Sequence, residues 1–379
     1  RLDGELRIRA ADARIPLALA DLSMASGAEK TPLGGAVTVR REAARLSVAG
    51  ENLRLGDSTI SGDISITDTG NESRRTLDAT LSVDKTTVAQ LLGAVTRRSA
   101  ADAGAEAEAL AADEEGTDAT AARSIWPEQP FDIGPLSQVD GKITAKIGAL
   151  ALEPGLTISD AELDIVLAED SIKITRLDGG AVGGRLTSSF DLTRAPAGAD
   201  LSGTLKIAID AEQGGGAEPA EADSGADARN GNAVVFSSTF SSRAFSPAAT
   251  ISALTGKAEL TISDATLNGN SPAAVSAVAR AALTGQGPAG GEAFIEAIAE
   301  GLKEGEVQLG KLTIPAEIED GSLKLDRVRI DMAEGRSTFA TVVDLATMRI
   351  DSEWQIEPKL EEQFTGTAEQ AALPAVTVV

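Results

Sequence analysis

Val307–Glu357, VQLGKLTIPAEIEDGSLKLDRVRIDMAEGRSTFATVVDLATMRIDSEWQIE, decides the fold, because a period of two runs through it strand after strand. Val307 and Leu309, Leu312 and Ile314, Leu323 and Leu325, Val328 and Ile330, then Ile350, Trp354 and Ile356 are its spaced apolar positions. Lys311, Lys324, Asp326, Arg329, Glu353 and Gln355 fall between them. Alternate side chains of a pleated strand point to opposite faces, so this pattern writes a sheet with one oily and one wet side. Glu319-Asp320-Gly321 and Glu334-Gly335 supply residues that tolerate positive φ where hairpins need it. The segment reads as a β-meander.

The same pattern extends toward the N-terminus. Leu6, Ile8 and Ala10 alternate, and alternation resumes at Ile15, Leu17 and Leu19, where Pro16 suits an edge or a strand start. Gly34 to Val48 predicts two short strands around a charged turn at Arg40-Arg41-Glu42, and Leu53 to Ile66 and Leu77 to Val83 continue the meander. Between Ile125 and Asp210 the chain is again β, with strands near Leu156–Ile158, Ala161–Leu167, Ile172–Leu177 and Arg185–Leu192. Gly179, Gly180, Gly183 and Gly184 lie at the last turn. A glycine-rich loop cradles phosphate only when a helix N-terminus follows it, and here a strand follows.

Three stretches carry a helical period instead. TTVAQLLGAVTRR places Val88, Leu91, Leu92 and Val95 on one side, with Asp84 or Thr86 as N-cap. Pro272 to Leu283 follows Ser271 as N-cap with proline in the first turn, and Gly291 to Lys303 aligns Phe294, Ile295, Ile298 and Leu302. Their polar faces are neutral or acidic rather than cationic, so packing on the sheet is the expected task.

Two stretches have little to bury: Ser99 to Arg123, rich in Ala, Asp, Glu and Gly, and Ala211 to Gly231 with its Gly214-Gly215-Gly216. The chain therefore divides into 1–98, a β-meander with a short terminal helix; 99–124, a disordered acidic insertion; 125–210, a β repeat unit; 211–232, a disordered acidic linker; 233–360, a C-terminal β region with two helices; and 361–379, a tail. The fold class is mainly β, mostly antiparallel, with a few short amphipathic helices.

Composition narrows the function. A net charge of −24 repels phosphate backbones, and the short pairs Arg40-Arg41, Arg74-Arg75 and Arg97-Arg98 make no basic patch, so nucleic acid is not an expected partner. Histidine and cysteine are both absent, which removes imidazole bases, thiol nucleophiles, disulfides and the usual zinc sites. No cofactor or metal is expected. Aromatic residues are 3% and tyrosine is missing, so sugar or base stacking is poorly supplied. No apolar run is long enough to span a bilayer, and the chain begins at Arg1 without an initiator methionine.

TISDATLNG (Thr261 to Gly269), the small-residue helices after it, and GSLKLDRVRIDMAEGRSTFATVVDLATMRIDSEWQI resemble the C-terminal region of AsmA-family proteins. Asp320-Gly321-Ser322-Leu323, Val343-Asp344-Leu345 and Trp354-Gln355-Ile356 stand where that family has a glycine-leucine strand pair, a Val-Asp-Leu strand and an aromatic-containing last strand. Ile158 to Leu192 resembles the family's upstream repeat. The resemblance implies an elongated, curved, taco-like β-groove with an apolar interior, in a periplasmic protein related to AsmA and TamB. It also implies an inner-membrane anchor ahead of Arg1, envelope proteins as partners, and phospholipid acyl chains moving between the inner and outer membranes in outer-membrane biogenesis. Groove candidates are then Leu163, Ile165, Ile172, Ile174, Phe190, Leu205, Ile207, Leu323, Leu325, Val328 and Ile330.

Two other readings stand beside this one. A structural β protein whose oily face is closed by a second sheet shows the same alternation. Carboxylates on one strand, Asp160, Glu162 and Asp164, or the pair Asp326 and Asp331, are the residue type used for glycoside hydrolysis, although acidic strands in so acidic a chain are more often solvated faces. The expected protein is not an enzyme.

Overall fold

The computed structural model describes residues 2–11, 32–68, 74–92, 126–131, 139–153, 156–181, 183–196, 198–210, 232–263, 265–268, 271–288, 290–359 and 376–378. The protein is mainly β, with mixed, mostly antiparallel pairing, and it divides into two compact units, 1–208 with 237–256 and 209–236 with 257–379. The expected strand at Ile15–Leu19, the insertion 99–124 and residues 211–231 of the acidic linker lie outside the described residues.

The first unit is built on ten strands paired in chain order: β1 (Leu2–Ala10), β2 (Leu33–Glu42), β3 (Arg45–Leu55), β4 (Ser58–Asp68), β5 (Arg75–Thr87), β6 (Val139–Glu153), β7 (Leu156–Ala168), β8 (Ser171–Ala181), β9 (Gly184–Ala195) and β10 (Gly198–Asp210). Nine ladders join them, and β5–β6 alone among these is parallel. A parallel pair needs a crossover of a dozen or more residues, and the long connection from Leu92 to Val139 supplies it. The close approach of β6 to β5 depends on Gly141, where a Cβ would stand 2.0 Å from the carbonyl oxygen of Leu77.

Several boundaries differ from the sequence expectation. The β2–β3 turn falls at Ala43-Ala44, with Ala43 at φ 48°, because the ladder sets Val39 opposite Val48 and carries Arg40, Arg41 and Glu42 into the strand. Leu156–Ile158 and Ala161–Leu167 belong to one strand, bulged at Asp160 (φ 49°). Gly179 and Gly180 lie within β8 rather than in the turn; a Cβ at Gly179 would meet Ile158 Cγ2 at 2.5 Å. The first helix, α1 (Val88–Leu92), is capped by neither expected residue. Thr87 Oγ1 accepts from the Gln90 N–H at 3.1 Å and Gln90 Oε1 accepts from the Thr87 N–H at 3.2 Å, a capping box. Asp84 instead accepts from the backbone N–H groups of Thr59 and Lys85, which hold its carboxyl below the usual carboxylate range. A six-residue helix, α2 (Pro247–Ser252), follows β11 (Asn232–Ala244), with Ser246 Oγ accepting from Ala249 N–H.

In the second unit, β15 (Leu312–Glu319), β16 (Ser322–Met332), β17 (Gly335–Asp344), β18 (Arg349–Pro358) and β19 (Val376–Val378) form an antiparallel meander. The strands β13 (Ala265–Asn268) and β14 (Glu306–Leu309) pair with each other, while β12 (Thr255–Ile262) has residues in both units. Asp320-Gly321 closes β15–β16 with both residues at positive φ, 47° and 71°, as a two-residue type I′ hairpin requires. Two helices, α3 (Pro272–Leu283) and α4 (Gly291–Glu304), pack together and against Ile356 through Val275, Ile298 and Leu302. The expected four-residue stripe on α4 is incomplete, since Ile295 is 67% exposed. Ser271 precedes α3 in extended conformation, yet its hydroxyl makes no capping hydrogen bond.

Candidate functional site

Residues directly opposite one another in a ladder share a face, so the registers trace rows across the first unit. One row runs Gly4, Val39, Val48, Ile64, Ala79, Ile143, Ile165, Ile174, Phe190 and Gly203, crossing all ten strands. The next runs Leu6, Val37, Gly50, Gly62, Leu81, Ala145, Leu163, Leu177, Ser188 and Leu205. No charged side chain enters either row. At about 4.8 Å between strands, each row measures roughly 43 Å along the sheet. Where glycines leave the face thin, Leu53 fills in: a Cβ at Gly35 or Gly50 would collide with its side chain.

Bulges keep the face coherent where simple alternation would lose it. On β8 the register shifts between Ile174 and Leu177, so the even-numbered Ile172 and Ile174 share a face with the odd-numbered Leu177. On β16 a shift between Leu325 and Val328 does the same for Leu323, Leu325, Val328 and Ile330.

The candidates fall seven in the first unit and four in the second. Leu163 is buried at the centre of a cluster with Ala145, Ile147, Leu150, Ile158, Ala161, Ala181 and Leu186, and Ile165, Ile174, Leu205 and Ile207 pack against it half-buried. Half-buried Ile172 lies between Leu167 and Leu192. Phe190 faces Ile174 and Gly203 and leans on Phe240, their ring centroids 5.9 Å apart. In the second unit Leu323, Leu325, Val328 and Ile330 are half-buried, opposite Val343, Thr341, Phe339 and Ser337 of β17. Burial in the Leu163 cluster is deepest at Ala161, 0% exposed, followed by Ile147, Leu150 and Ile158, each 2% exposed. Val48, Ile64, Ala79 and Ile143 also lie on the first unit's apolar face outside the candidate set, although alternation in Leu46–Ile66, Leu77–Leu81 and Ile143–Ile147 signals them.

The opposite face is wet. Lys173 pairs with Asp191 at 2.8 Å, Arg185 with Asp178 at 2.6 Å, and Arg74 with both Asp140 and Glu169. Arg243 holds the Asp200 carboxyl below its usual range by hydrogen bond and charge. Glu162 is engaged by Arg176 and Lys146, and Asp164 accepts from Thr144 Oγ1 at 2.9 Å. Asp331 is paired with Arg336 and Arg329, which lower its pKa, Arg336 first. These carboxylates serve cross-strand pairing on solvated surface, and no group of three acidic residues among the described residues is arranged to hold a metal.

A family model described as the AsmA family matches residues 6–213, more than half of the chain. The chain belongs to the AsmA family. The match takes in the ten-strand face from Leu6 onward and the Ile158–Leu192 repeat, and it ends before Thr261–Ile356. AsmA-family membership ties the chain to the bacterial envelope and to outer-membrane biogenesis at the level of the family. No curated protein and no solved structure matches it. No helix among the described residues is long and apolar enough to cross a membrane.

Proposed function

We propose that this AsmA-family chain is a non-enzymatic periplasmic protein whose aliphatic sheet faces hold phospholipid acyl chains in passage between the inner and outer membranes. One observation carries the reading: the uncharged row from Gly4 to Gly203 crosses ten strands while the charges gather on the other face. A sheet that only needed a wet exterior could pair its strands without so long an uncharged row. Burying a methylene is worth about 0.8 kcal/mol, so a typical acyl chain offers on the order of 10 kcal/mol of gross driving force, set against the entropy of ordering it. Half-buried Ile165, Ile174 and Ile207 retain apolar surface that a chain can cover. Headgroups stay with water and the polar rim, and the carboxylates do no chemistry.

The test is native mass spectrometry of protein purified without detergent. Co-purified phospholipid is expected, and Ile165→Asp or Ile207→Asp is expected to remove it while circular dichroism and the unfolding midpoint stay near wild type. Protein free of lipid, or a substitution that unfolds the chain, marks these residues as closed core.

A further inference from the structure

Along β18 the apolar face passes from covered to open. Ile356 is 0% exposed beneath α3 and α4, Trp354 is half-buried, Ser352 is half-buried, and Ile350 is 68% exposed. All four share a face, and their β17 partners are Ser337, Phe339, Thr341 and Val343. Apart from Ser337 at the covered end, the side-chain polar atoms on these β17 and β18 positions gather at one place, between the aromatic pair and the open end. Thr341 Oγ1 and Ser352 Oγ are 3.0 Å apart, and the Trp354 Nε1–H donates to Ser352 Oγ at 3.1 Å. Trp354 is itself held flat against Phe339, with centroids 4.5 Å apart and an interplanar angle of 18°.

Counting protons shows what the group can bind. The indole N–H and the two hydroxyls bring three donors. The indole spends its proton on Ser352, and one hydroxyl spends its proton on the other. Among the described residues one O–H is left without an acceptor. Thr341 and Ser352 are half-buried, so in a surface otherwise made of Leu323, Leu325, Val343 and Ile350 the spare O–H is open to one oxygen lone pair, from water or from a ligand that displaces it. Aliphatic surface for a hydrocarbon chain beside a single donor for a carbonyl oxygen matches the junction of an acyl ester.

We propose that Thr341, Ser352 and Trp354 form an ester-binding notch on the second unit's aliphatic face, fixing the polar end of an acyl chain that lies over Val343 and Ile350. It rests on the reading that lipid occupies these faces, and adds a position and an orientation to it. α3 and α4 close the face at Ile356, so the chain leaves the notch toward Ile350, and Trp354 touches the ester end.

Trp354 and Trp126 are the two tryptophans of the chain, so a Trp126→Phe background makes Trp354 the sole indole reporter. The probe is phosphatidylcholine brominated either near the ester or near the chain end, chosen because a zwitterion is not repelled by a chain of net charge −24. Quenching of Trp354 is expected to be stronger with bromine near the ester. Thr341→Val with Ser352→Ala is expected to weaken binding about 3- to 10-fold and erase the difference, while Thr341→Ser, which keeps the hydroxyl, retains it. Equal quenching by both probes, or unchanged affinity in the double variant, overturns the notch while lipid bound by mass spectrometry leaves the broader reading standing. Absence of both quenching and bound lipid overturns the two together.

Discussion

Gly141→Ala tests the parallel seam on which the long apolar rows depend. The added Cβ would stand 2.0 Å from the Leu77 oxygen, 2.8 Å from its carbonyl carbon and 2.9 Å from its Cβ, and the first two are backbone atoms that no rotamer change removes. Ordinary contact needs about 3.5 Å, so β5 and β6 must part locally by about 1.5 Å. Ladder bonds of about 2.9 Å then stretch beyond useful range. Losing two or three of them at about 1 kcal/mol each, with about 1–3 kcal/mol of overpacking, gives about 3–6 kcal/mol of destabilisation. For a unit of this size that corresponds to a fall in Tm of about 10 °C. Thermal and urea unfolding measure it, with Gly4→Ala as the control. Gly4 lies in the first apolar row with nothing within 4 Å of its Cβ position, so alanine there should be neutral or add up to about 1 kcal/mol. If Gly141→Ala is no worse than Gly4→Ala, the strands do not meet as described and the rows do not continue from β5 to β6.

Two further perturbations probe the second unit and the wet face. Ser337 is 1% exposed and its Oγ has no hydrogen-bond partner among the described residues, so Ser337→Ala should raise stability by about 1 kcal/mol, read as an increased urea midpoint at unchanged slope. For Asp200, Arg243 lowers the folded carboxyl pKa beneath its ordinary 3.8, so the pair's contribution is present above that value and lost as pH falls through the folded pKa. The stability gap between wild type and Asp200→Asn should therefore be widest near neutral pH, close below pH 3.8 and shrink in high salt; a gap that widens in acid contradicts the pairing.

Much of this architecture is legible in the sequence because alternation is local information. Leu323 and Leu325, and then Ile350, Trp354 and Ile356, reveal a two-sided sheet without reference to any partner, and Asp320-Gly321 names its own turn. What fails to show is what depends on a second strand. The bulges after Leu325 and Ile174 shift the period by one residue, and only the ladder tells which side the following residues take. The β2–β3 turn moved from Arg40–Glu42 to Ala43-Ala44 because cross-strand valine pairing outweighed the local preference for charged turn residues. The parallel β5–β6 seam joins residues on either side of a long connection, and no sequence period distinguishes it from antiparallel pairing. The exposed Ile295 shows the same limit on a helix, where the period identifies an apolar stripe but not how much of it a neighbour covers. The candidate residues were found where strands are richest in leucine and isoleucine; the hydroxyls at Thr341 and Ser352 carried no such signal.

The central claim is that lipid lies on one face of the sheet and not on the other, and adjacent positions on one strand separate the two. A photo-crosslinking residue placed in turn at Ile165, Ile174 and Ile207, and at their wet-face neighbours Asp164, Lys173 and Lys206, can be irradiated in purified full-length protein incubated with phospholipid vesicles. Mass spectrometry is expected to find phospholipid adducts at the three isoleucine positions and none at their neighbours. Adducts at both sets alike, or at neither, would contradict an acyl-chain face.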